Sequence, residues 1–262
     1  MTTIDPNARA ETGRRIAAEI GIALSGEPET PVQAALRDFV CAEVWSRPGL
    51  DRRARYIISI TGAANAAGSD HLLESFLRGA LEQGALTLLE LREIALHLTG
   101  YAGFSQALRL DAAISRVADA MGLPPARCRP LRAEACSVEE REQQGVRRIS
   151  EVMVNQSQPM ATPFMEAGIH GYVFSEIWTR PELDQRSRRW VTLTAAADTQ
   201  APRAVRSHAY SALASGDVTA DELFEFVLHY AVHGGHTRGS TMEALAFEMS
   251  ATVEQGEPFP AV

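Results

Sequence analysis

A long internal repeat constrains this chain more than any other feature of its sequence. The string EVWSRP at residues 43–48 returns 133 residues later as EIWTRP at 176–181. The pair LH at residues 96–97 returns 132 residues later at 228–229, so the register slips by a single position. Chance similarity does not hold register over so long a stretch. The sequence therefore predicts a duplicated domain, with repeat 1 at 10–120, a linker at 121–141 and repeat 2 at 142–250.

Helix signals dominate both copies. Asp51 and Asp184 stand at N-cap positions ahead of long segments of apolar residues with helical spacing. Thr87 and Thr219 are each followed three residues later by glutamate, which is the spacing of a capping box. No segment shows the alternation of a half-buried strand. The predicted fold class is all-α.

Composition and charge argue against some classes of binding partner. The chain has 262 residues, 45% of them hydrophobic and 22% charged, as in an ordinary globular protein. A formal net charge of −8 argues against nucleic acid or an acidic membrane surface as the main partner. We find neither an apolar run of about 20 residues nor a secretory signal. Three cysteines do not suit a disulfide framework, so we expect a cytoplasmic protein.

The string E-x-W-[ST]-R-P-x-L-D, present twice, resembles a motif of the carboxymuconolactone decarboxylase family. The resemblance extends over most of both repeats and implies the helical fold that this family shares with the alkylhydroperoxidase D-like proteins. Single-copy members of the family assemble as rings of six. By analogy, the resemblance implies that three copies of this tandem chain form a homotrimer, a pseudo-hexameric ring.

The peroxidase branch of this fold uses a C-x-x-C-x-x-x-H motif, which the present chain lacks. Ala201 and Ala204 occupy the two cysteine positions in repeat 2, and Ser69 and Leu72 occupy them in repeat 1. Peroxide reduction by a dithiol needs a thiolate and a resolving thiol. We therefore do not expect disulfide peroxidase activity.

The decarboxylase branch resembles this chain at four polar positions. Repeat 2 supplies all four as Glu176, Arg180, His208 and His229. Repeat 1 has Phe76 where the first of the two histidines belongs. Because phenylalanine cannot transfer a proton, we expect one working site per chain, built chiefly from repeat 2.

The expected chemistry is decarboxylation or isomerisation of a small carboxylated lactone or keto acid, without a metal or organic cofactor. Arg180 is predicted to hold the substrate carboxylate, because its planar fork matches that group. His208 is predicted to return the proton to carbon, with His229, His233 and Glu176 sharing or tuning that role.

The histidines near the end of repeat 2 leave two alternatives open. His229, His233 and His236 have the spacing of one helical face, and His236 and Arg188 are further candidate substrate-binding residues. One alternative is a metal-dependent enzyme that uses these three histidines together with His208. The other is a non-catalytic scaffold or small-molecule binding protein.

Overall fold

The computed structural model describes residues 4–24, 26–66, 68, 70–154 and 162–260. Throughout these segments the regular elements are helices and no strand is present, which confirms the predicted all-α class. The first half contains α1 (Pro6–Glu19), α2 (Pro31–Ala35), the π-helix π1 (Leu36–Trp45), α3 (Arg52–Asn65), α4 (Asp70–Glu82), α5 (Leu88–Thr99) and α6 (Phe104–Ala120). The second half contains α7 (Val138–Met153), the π-helix π2 (Phe164–Ile177), α8 (Gln185–Asp198), α9 (Pro202–Ala214), α10 (Ala220–Gly234) and α11 (His236–Glu254).

The helices of the second half follow the order of those in the first. Helix α7 begins at Val138, inside the predicted linker 121–141, because Ser137 caps its first turn. Residues 25, 67, 69 and 155–161 of the predicted repeats, Ser69 among them, lie outside the described residues. No described helix combines the length and the apolar character that crossing a membrane requires.

The predicted helix starts are present in both halves. The side chains of Asp51 and Asp184 cap α3 and α8, and Thr87 and Thr219 form complete capping boxes on α5 and α10. These caps satisfy backbone N–H groups that have no partner within the helix. They set the direction of the helices that carry the candidate site residues.

Glycine at one repeated position allows the leading helices to pack closely. A Cβ atom on Gly13 would clash with the carbonyl oxygen of Arg37 in π1. A Cβ atom on Gly145 would clash in the same way with the carbonyl oxygen of His170 in π2. The repeated glycine therefore has a packing function: it lets α1 and α7 approach the two π-helices.

Helices α3 and α8 form the centre of the molecule and pack against each other. Every residue from Ala54 to Ala64 and from Ser187 to Ala197 is buried. Helix α3 also packs against α10 of the other half, and α8 packs against α5. The two halves therefore share one interior, and each contributes a helix to the other.

Reciprocal ion pairs join the two halves at the starts of the central helices. Arg53 donates to Asp184 at 3.1 Å, and Arg186 donates to Asp51 at 3.4 Å. Both arginines lie in the first helical turn, where the helix dipole disfavours a positive charge. The carboxylates compensate that charge and belong to the same chain.

Candidate active site

The predicted site residues form two groups because α10 packs on α3 of the first half more extensively than on α8. In each group, one half supplies a helix with a glutamate and a histidine, and the other half supplies the residues around them. The first centre contains Trp45, Arg47, Arg55, Ser59, Phe76, Glu225, His229 and His233. The second centre contains the residues at the matching repeat positions: Trp178, Arg180, Arg188, Thr192, His208, Glu93, His97 and Tyr101. The predicted residues of repeat 2 are therefore not grouped in one place, because each centre combines residues of both halves, and one working site per chain stays a prediction.

In the first centre the buried residue His229 contacts Arg55, Ser59 and Trp45. Arg55 Nη1 lies 3.0 Å from His229 Nδ1, and Ser59 Oγ lies 2.9 Å from His229 Nε2. A guanidinium has only donors, so Nδ1 of His229 accepts and its Nε2–H donates to Ser59. Trp45 packs against the imidazole at an angle, with 5.0 Å between ring centroids. Arg55 thus determines the tautomer of His229.

Ser59 connects His229 to a second imidazole. Its Oγ lies 3.0 Å from Nε2 of His233, one helical turn further along α10. Because Ser59 already accepts from His229, its own proton is available for His233 Nε2, and His233 then carries its N–H at Nδ1. A hydrogen-bonded chain therefore runs from buried Arg55 to half-buried His233.

Burial lowers the pKa of both imidazoles in the first centre. For His229 burial is the largest cause, and the charge of Arg55 lowers its pKa further. For His233 burial lowers the pKa to about 4. Both rings are therefore neutral near pH 7, a state in which an imidazole accepts and passes on protons.

Glu225 balances the positive charge beside His229. Its carboxylate accepts hydrogen bonds from Arg47 Nε at 2.7 Å and from Arg55 at 3.4 Å. Arg55 also donates to the backbone carbonyl of Arg47 at 2.8 Å. The hydrogen bond from Arg47 is the largest cause that holds the pKa of Glu225 below its usual range. The first centre therefore contains an ionised carboxylate beneath its imidazoles.

The second centre repeats these connections. Arg188 Nη1 lies 3.3 Å from His97 Nδ1, and His97 Nε2 lies 2.8 Å from Thr192 Oγ1. Arg180 forms a bidentate pair with Glu93, with Nε to oxygen distances of 2.9 and 2.8 Å. Burial, with the charge of Arg188 next, lowers the pKa of His97 well below its usual value. The duplication has preserved one framework in two places.

His208 is packed among aromatic rings in the second centre. It stacks on Trp178 at 6.1 Å between centroids and meets Tyr101 edge-on at 5.3 Å. The residue is 5% exposed, and burial lowers its pKa to about 3. Its Nδ1 atom is buried without a hydrogen-bond partner in the described part of the chain. Proton donation by His208 stays a prediction, and the ring is in a less polar setting than His233.

Each centre contains two imidazoles, so Phe76 does not leave the first centre with a single histidine. In the first centre Phe76 faces His233, with 5.8 Å between ring centroids. In the second centre His208 replaces the phenylalanine, and Tyr101 replaces the second histidine of the helix. The second imidazole therefore comes from α10 in the first centre and from α9 in the second.

The two arginines predicted to bind substrate have partners within the protein. Arg180 and Glu93 are both almost fully buried, and Arg180 also donates to the carbonyl of Pro130 at 2.9 Å. Arg188 donates to the carbonyls of Leu183 at 3.1 Å and Arg180 at 2.8 Å. Burial lowers the pKa of Arg188 to about 10. Both guanidinium groups therefore have framework partners within the protein, they also line one cavity, and their contact with a substrate stays a prediction.

Among the described contacts, Glu176 pairs with arginines and not with the histidines whose role it was predicted to share or tune. Its carboxylate pairs with Arg141 at 2.9 Å and with Arg132 at 3.3 Å. At the matching position of the first half, Glu43 pairs with Arg9 at 2.7 Å. These ion pairs attach the π-helices to α7 and α1, which accounts for a glutamate at this position in both copies.

The predicted face of three imidazoles is not formed. Helix α10 ends at Gly235, whose φ of +84° is the conformation that favours glycine, and His236 begins α11. His236 is exposed and lies 5.9 Å from Phe39 between ring centroids. Within the described segments, no three histidine, cysteine, aspartate or glutamate side chains are grouped to hold a metal ion. The four-histidine metal site of the alternative hypothesis is therefore not assembled among the described residues, since His208 belongs to the other centre.

His233 lines a polar cavity of about 270 Å³ at the junction of the two halves. Asp198 and Asn65 lie at its base, joined by a hydrogen bond of 2.8 Å, and Arg238 lies 3.7 Å from Asp198. The sequence reasoning missed these three residues. Alignment of the two repeats could have identified them. Asn65 and Asp198 occupy equivalent positions, as do Gln106 and Arg238, and in each pair a neutral amide in the first half is replaced by a charged residue in the second.

The cavity places groups with opposite pKa shifts beside one another. Burial raises the pKa of Asp198, against the hydrogen bond from Asn65 and the charge of Arg238. Burial lowers the pKa of His233 on the same cavity wall. The cavity therefore holds two acid–base groups whose pKa values are both shifted by burial, as is common at functional sites. Arg238 adds a positive charge suited to a carboxylate.

Two known proteins are similar in sequence to part of this chain. No family model matches the chain. The chain is 42% identical over 65 residues to a 4-carboxymuconolactone decarboxylase of Acinetobacter baylyi, a match that covers 25% of this chain and 47% of that protein. It is 37% identical over 75 residues to a nitrosuccinic acid decarboxylase of Metarhizium robertsii, covering 28% of this chain and 50% of that protein. The chain thus spans about half the length of the curated relatives it matches.

Proposed function

We propose, from the premise that this chain belongs to the carboxymuconolactone decarboxylase family, that it removes carbon dioxide from a small carboxylated substrate. The proposal depends on one observation: a series of hydrogen bonds joins His229, Ser59 and His233 and ends at the polar cavity, which Asp198 and Arg238 also line. Both matched relatives are named decarboxylases. The substrate class that fits is a lactone or keto acid whose carbonyl is conjugated to the breaking bond.

The first step breaks the bond between the substrate carbon and its carboxylate. Arg238 holds the carboxylate in the polar cavity, since a guanidinium matches its two oxygens. Carbon dioxide leaves, and the electron pair of the broken bond moves into the conjugated carbonyl to give an enolate. The substrate is therefore its own electron acceptor, and the proposal needs no cofactor.

The second step returns a proton to carbon. Asp198, whose pKa is raised by burial, donates the proton to the enolate. His233 lines the same cavity, where solvent protonates its ring, and the imidazolium so formed gives its Nδ1 proton to the Asp198 carboxylate. Ser59 and His229 keep the His233 ring in one orientation. Positioned proton transfer of this kind contributes a rate factor of about 10²–10⁴.

Isomerisation would use the same proton transfer without breaking a carbon–carbon bond. The test is therefore release of carbon dioxide from a panel of β-keto acids and carboxylated γ-lactones. We expect His233→Gln to lower kcat/KM by about 10²–10⁴-fold on the substrate that turns over. His236→Gln is the matched control, because His236 is exposed and lies on the next helix.

Two outcomes would contradict this proposal. Equal turnover in His233→Gln and the wild type would remove the proton-transfer role of the first centre. A product of unchanged composition, with no carbon dioxide released, would identify an isomerase.

Assembly and location complete the proposal. The homotrimer, a pseudo-hexameric ring, and the cytoplasmic location rest on the family resemblance and the cysteine content. Large apolar side chains that are exposed in the single chain support association between copies. They include Val32, Phe104, Leu108, Phe164 and Phe247. Light scattering after size-exclusion chromatography should give three times the 28.5 kDa mass of the chain. A mass of 28.5 kDa would contradict the ring.

A further inference from the structure

An apolar cavity adjoins the polar cavity of the first centre. It encloses about 360 Å³ between the end of α8, the start of α9 and one face of α11. Its apolar lining residues include Ala196, Ala197, Ala201, Val205, Met242 and Leu245. This volume lies within the range of roughly 300–1,000 Å³ that is typical of small-molecule sites. The cavity is therefore large enough for an apolar chain or ring.

Arg238 stands between the two cavities and lines both. Its side chain is 44% exposed, and its Nη1 atom lies 3.7 Å from Asp198. A guanidinium carries five N–H donors, so this distant carboxylate and the interaction with the Tyr230 hydroxyl leave donors for a ligand. A carboxylate bound here would have the polar cavity on one side and the apolar cavity on the other.

The corresponding groove of the first half is filled by its own side chain. Arg109 occupies the position that matches Thr241 of the apolar cavity. It donates to the carbonyls of Ala64 at 3.0 Å and Ala66 at 2.6 Å, and to Asp70 at 2.8 Å. The short side chain of Thr241 leaves that volume open in the second half. The two repeats thus differ at the residue that decides whether the cavity exists.

We propose that the apolar cavity is the specificity pocket of the enzyme, which binds the apolar chain or ring of a carboxylic acid whose carboxylate is held by Arg238. The inference rests on the proposed function for the identity of the carboxylate as substrate. It adds that the preferred substrate carries a hydrocarbon substituent. Charge at Arg238 and hydrocarbon contact in the cavity contribute separately to affinity.

Binding of saturated linear carboxylates from acetate to octanoate, which do not decarboxylate, tests the pocket by calorimetry. We expect Kd to fall about fourfold for each methylene group added, until the cavity is full. Thr241→Phe should abolish this dependence, because its ring occupies the cavity without adding charge. Ala244→Phe, at an exposed position of the same helix that does not line the cavity, is the matched control and should keep the dependence.

A second variant separates the two contributions. Arg238→Gln should weaken every carboxylate by about 10- to 100-fold and leave the dependence on chain length unchanged. Thr241→Leu, a smaller change than Thr241→Phe, should shorten the longest chain that still gains affinity. If either Thr241 variant leaves the binding series as it is in the wild type, the pocket assignment is overturned.

The results also distinguish this inference from the proposed function. A Kd that does not change with chain length, together with release of carbon dioxide from the substrate panel, would overturn the pocket alone. A clear dependence on chain length, with no carbon dioxide released from any panel member, would support the carboxylate pocket and contradict the decarboxylase.

Discussion

The first and second centres have the same framework but place their second imidazole differently. In both, an arginine donates to Nδ1 of a buried histidine and a hydroxyl group lies next to Nε2. In the first centre the second imidazole, His233, follows on the same helix and borders a polar cavity. In the second centre it is His208, which comes from another helix and packs between Trp178 and Tyr101.

The difference shows which features a duplication can change independently. The framework keeps a buried histidine neutral and in one tautomer, and both copies retain it. Access to a ligand depends on the neighbouring side chains, and these differ. We infer that the first centre is the reactive one and that the second mainly holds the two halves together. Each prediction below sets a residue of one centre against its counterpart.

The largest expected difference is between His233 and His208 in turnover. His233→Gln should lower kcat/KM by about 10²–10⁴-fold, because it removes the group that passes protons at the cavity. His208→Phe should cost far less, because Phe76 already fills the matching position and stacks on Trp45. Steady-state kinetics on the same substrate measure both. A larger loss in His208→Phe would place the chemistry in the second centre.

The next difference concerns the two Arg–Glu pairs and stability. Arg180 and Glu93 are 7% and 2% exposed, whereas the side chain of Arg47 is 48% exposed. Arg180→Met leaves a buried carboxylate without its main partner and should lower the free energy of unfolding by about 3–5 kcal/mol. Arg47→Met should lower it by about 1 kcal/mol or less, since Glu225 keeps Arg55. Urea unfolding of both variants checks this, and equal losses would contradict it.

The pH dependence of stability should also differ between the centres. In the unfolded chain a histidine takes up a proton below about pH 6.5. Folded His208 does so only near pH 3, and folded His233 near pH 4. Each therefore stabilises the fold above about pH 6.5, and this contribution is lost as the pH falls, by about 1.4 kcal/mol per pH unit.

Phenylalanine variants isolate these contributions. Relative to the wild type, His208→Phe should flatten the fall in unfolding free energy from about pH 6.5 to 3, and His233→Phe from about pH 6.5 to 4. Urea unfolding at half-unit pH intervals gives the difference curves. A variant whose curve runs parallel to that of the wild type would show that the replaced histidine is protonated equally in both states.

The sequence was sufficient for the helices but not for the pairing between halves. Local signals predicted the caps at Asp51, Asp184, Thr87 and Thr219, because each depends on a few neighbouring residues. Comparing the two copies position by position treats each as a separate unit. It does not show that α10 packs on α3, since that depends on the shape of the shared interior.

Because the sequence does not show how the two halves pack, it also grouped some site residues wrongly. The spacing of His229, His233 and His236 suggested one face, but Gly235 ends the helix between the last two. Arg55 and its counterpart Arg188 were visible as a repeated pair, and only the fold shows that each donates to a histidine of the other half. The cavity residues needed the fold as well, because they come from helices far apart in the chain.

The smallest expected difference is between the two hydroxyl groups, Ser59 and Thr192. Ser59→Ala leaves the buried Nε2–H of His229 without its acceptor, and Thr192→Val does the same for His97. Each should lower the free energy of unfolding by about 1–3 kcal/mol. Only Ser59→Ala should also lower turnover, because Ser59 alone connects to the imidazole at the polar cavity.

Paired stability and kinetic measurements on these two variants decide whether the relay has a chemical function. If Thr192→Val lowers kcat as much as Ser59→Ala, there are two explanations. Either both centres catalyse the reaction, or each variant loses kcat because part of the protein is unfolded. Comparing kcat well below the unfolding temperature of both variants separates these causes. A loss of kcat in Ser59→Ala that persists there means that Ser59 positions His233 for proton transfer, which its contribution to stability alone does not require.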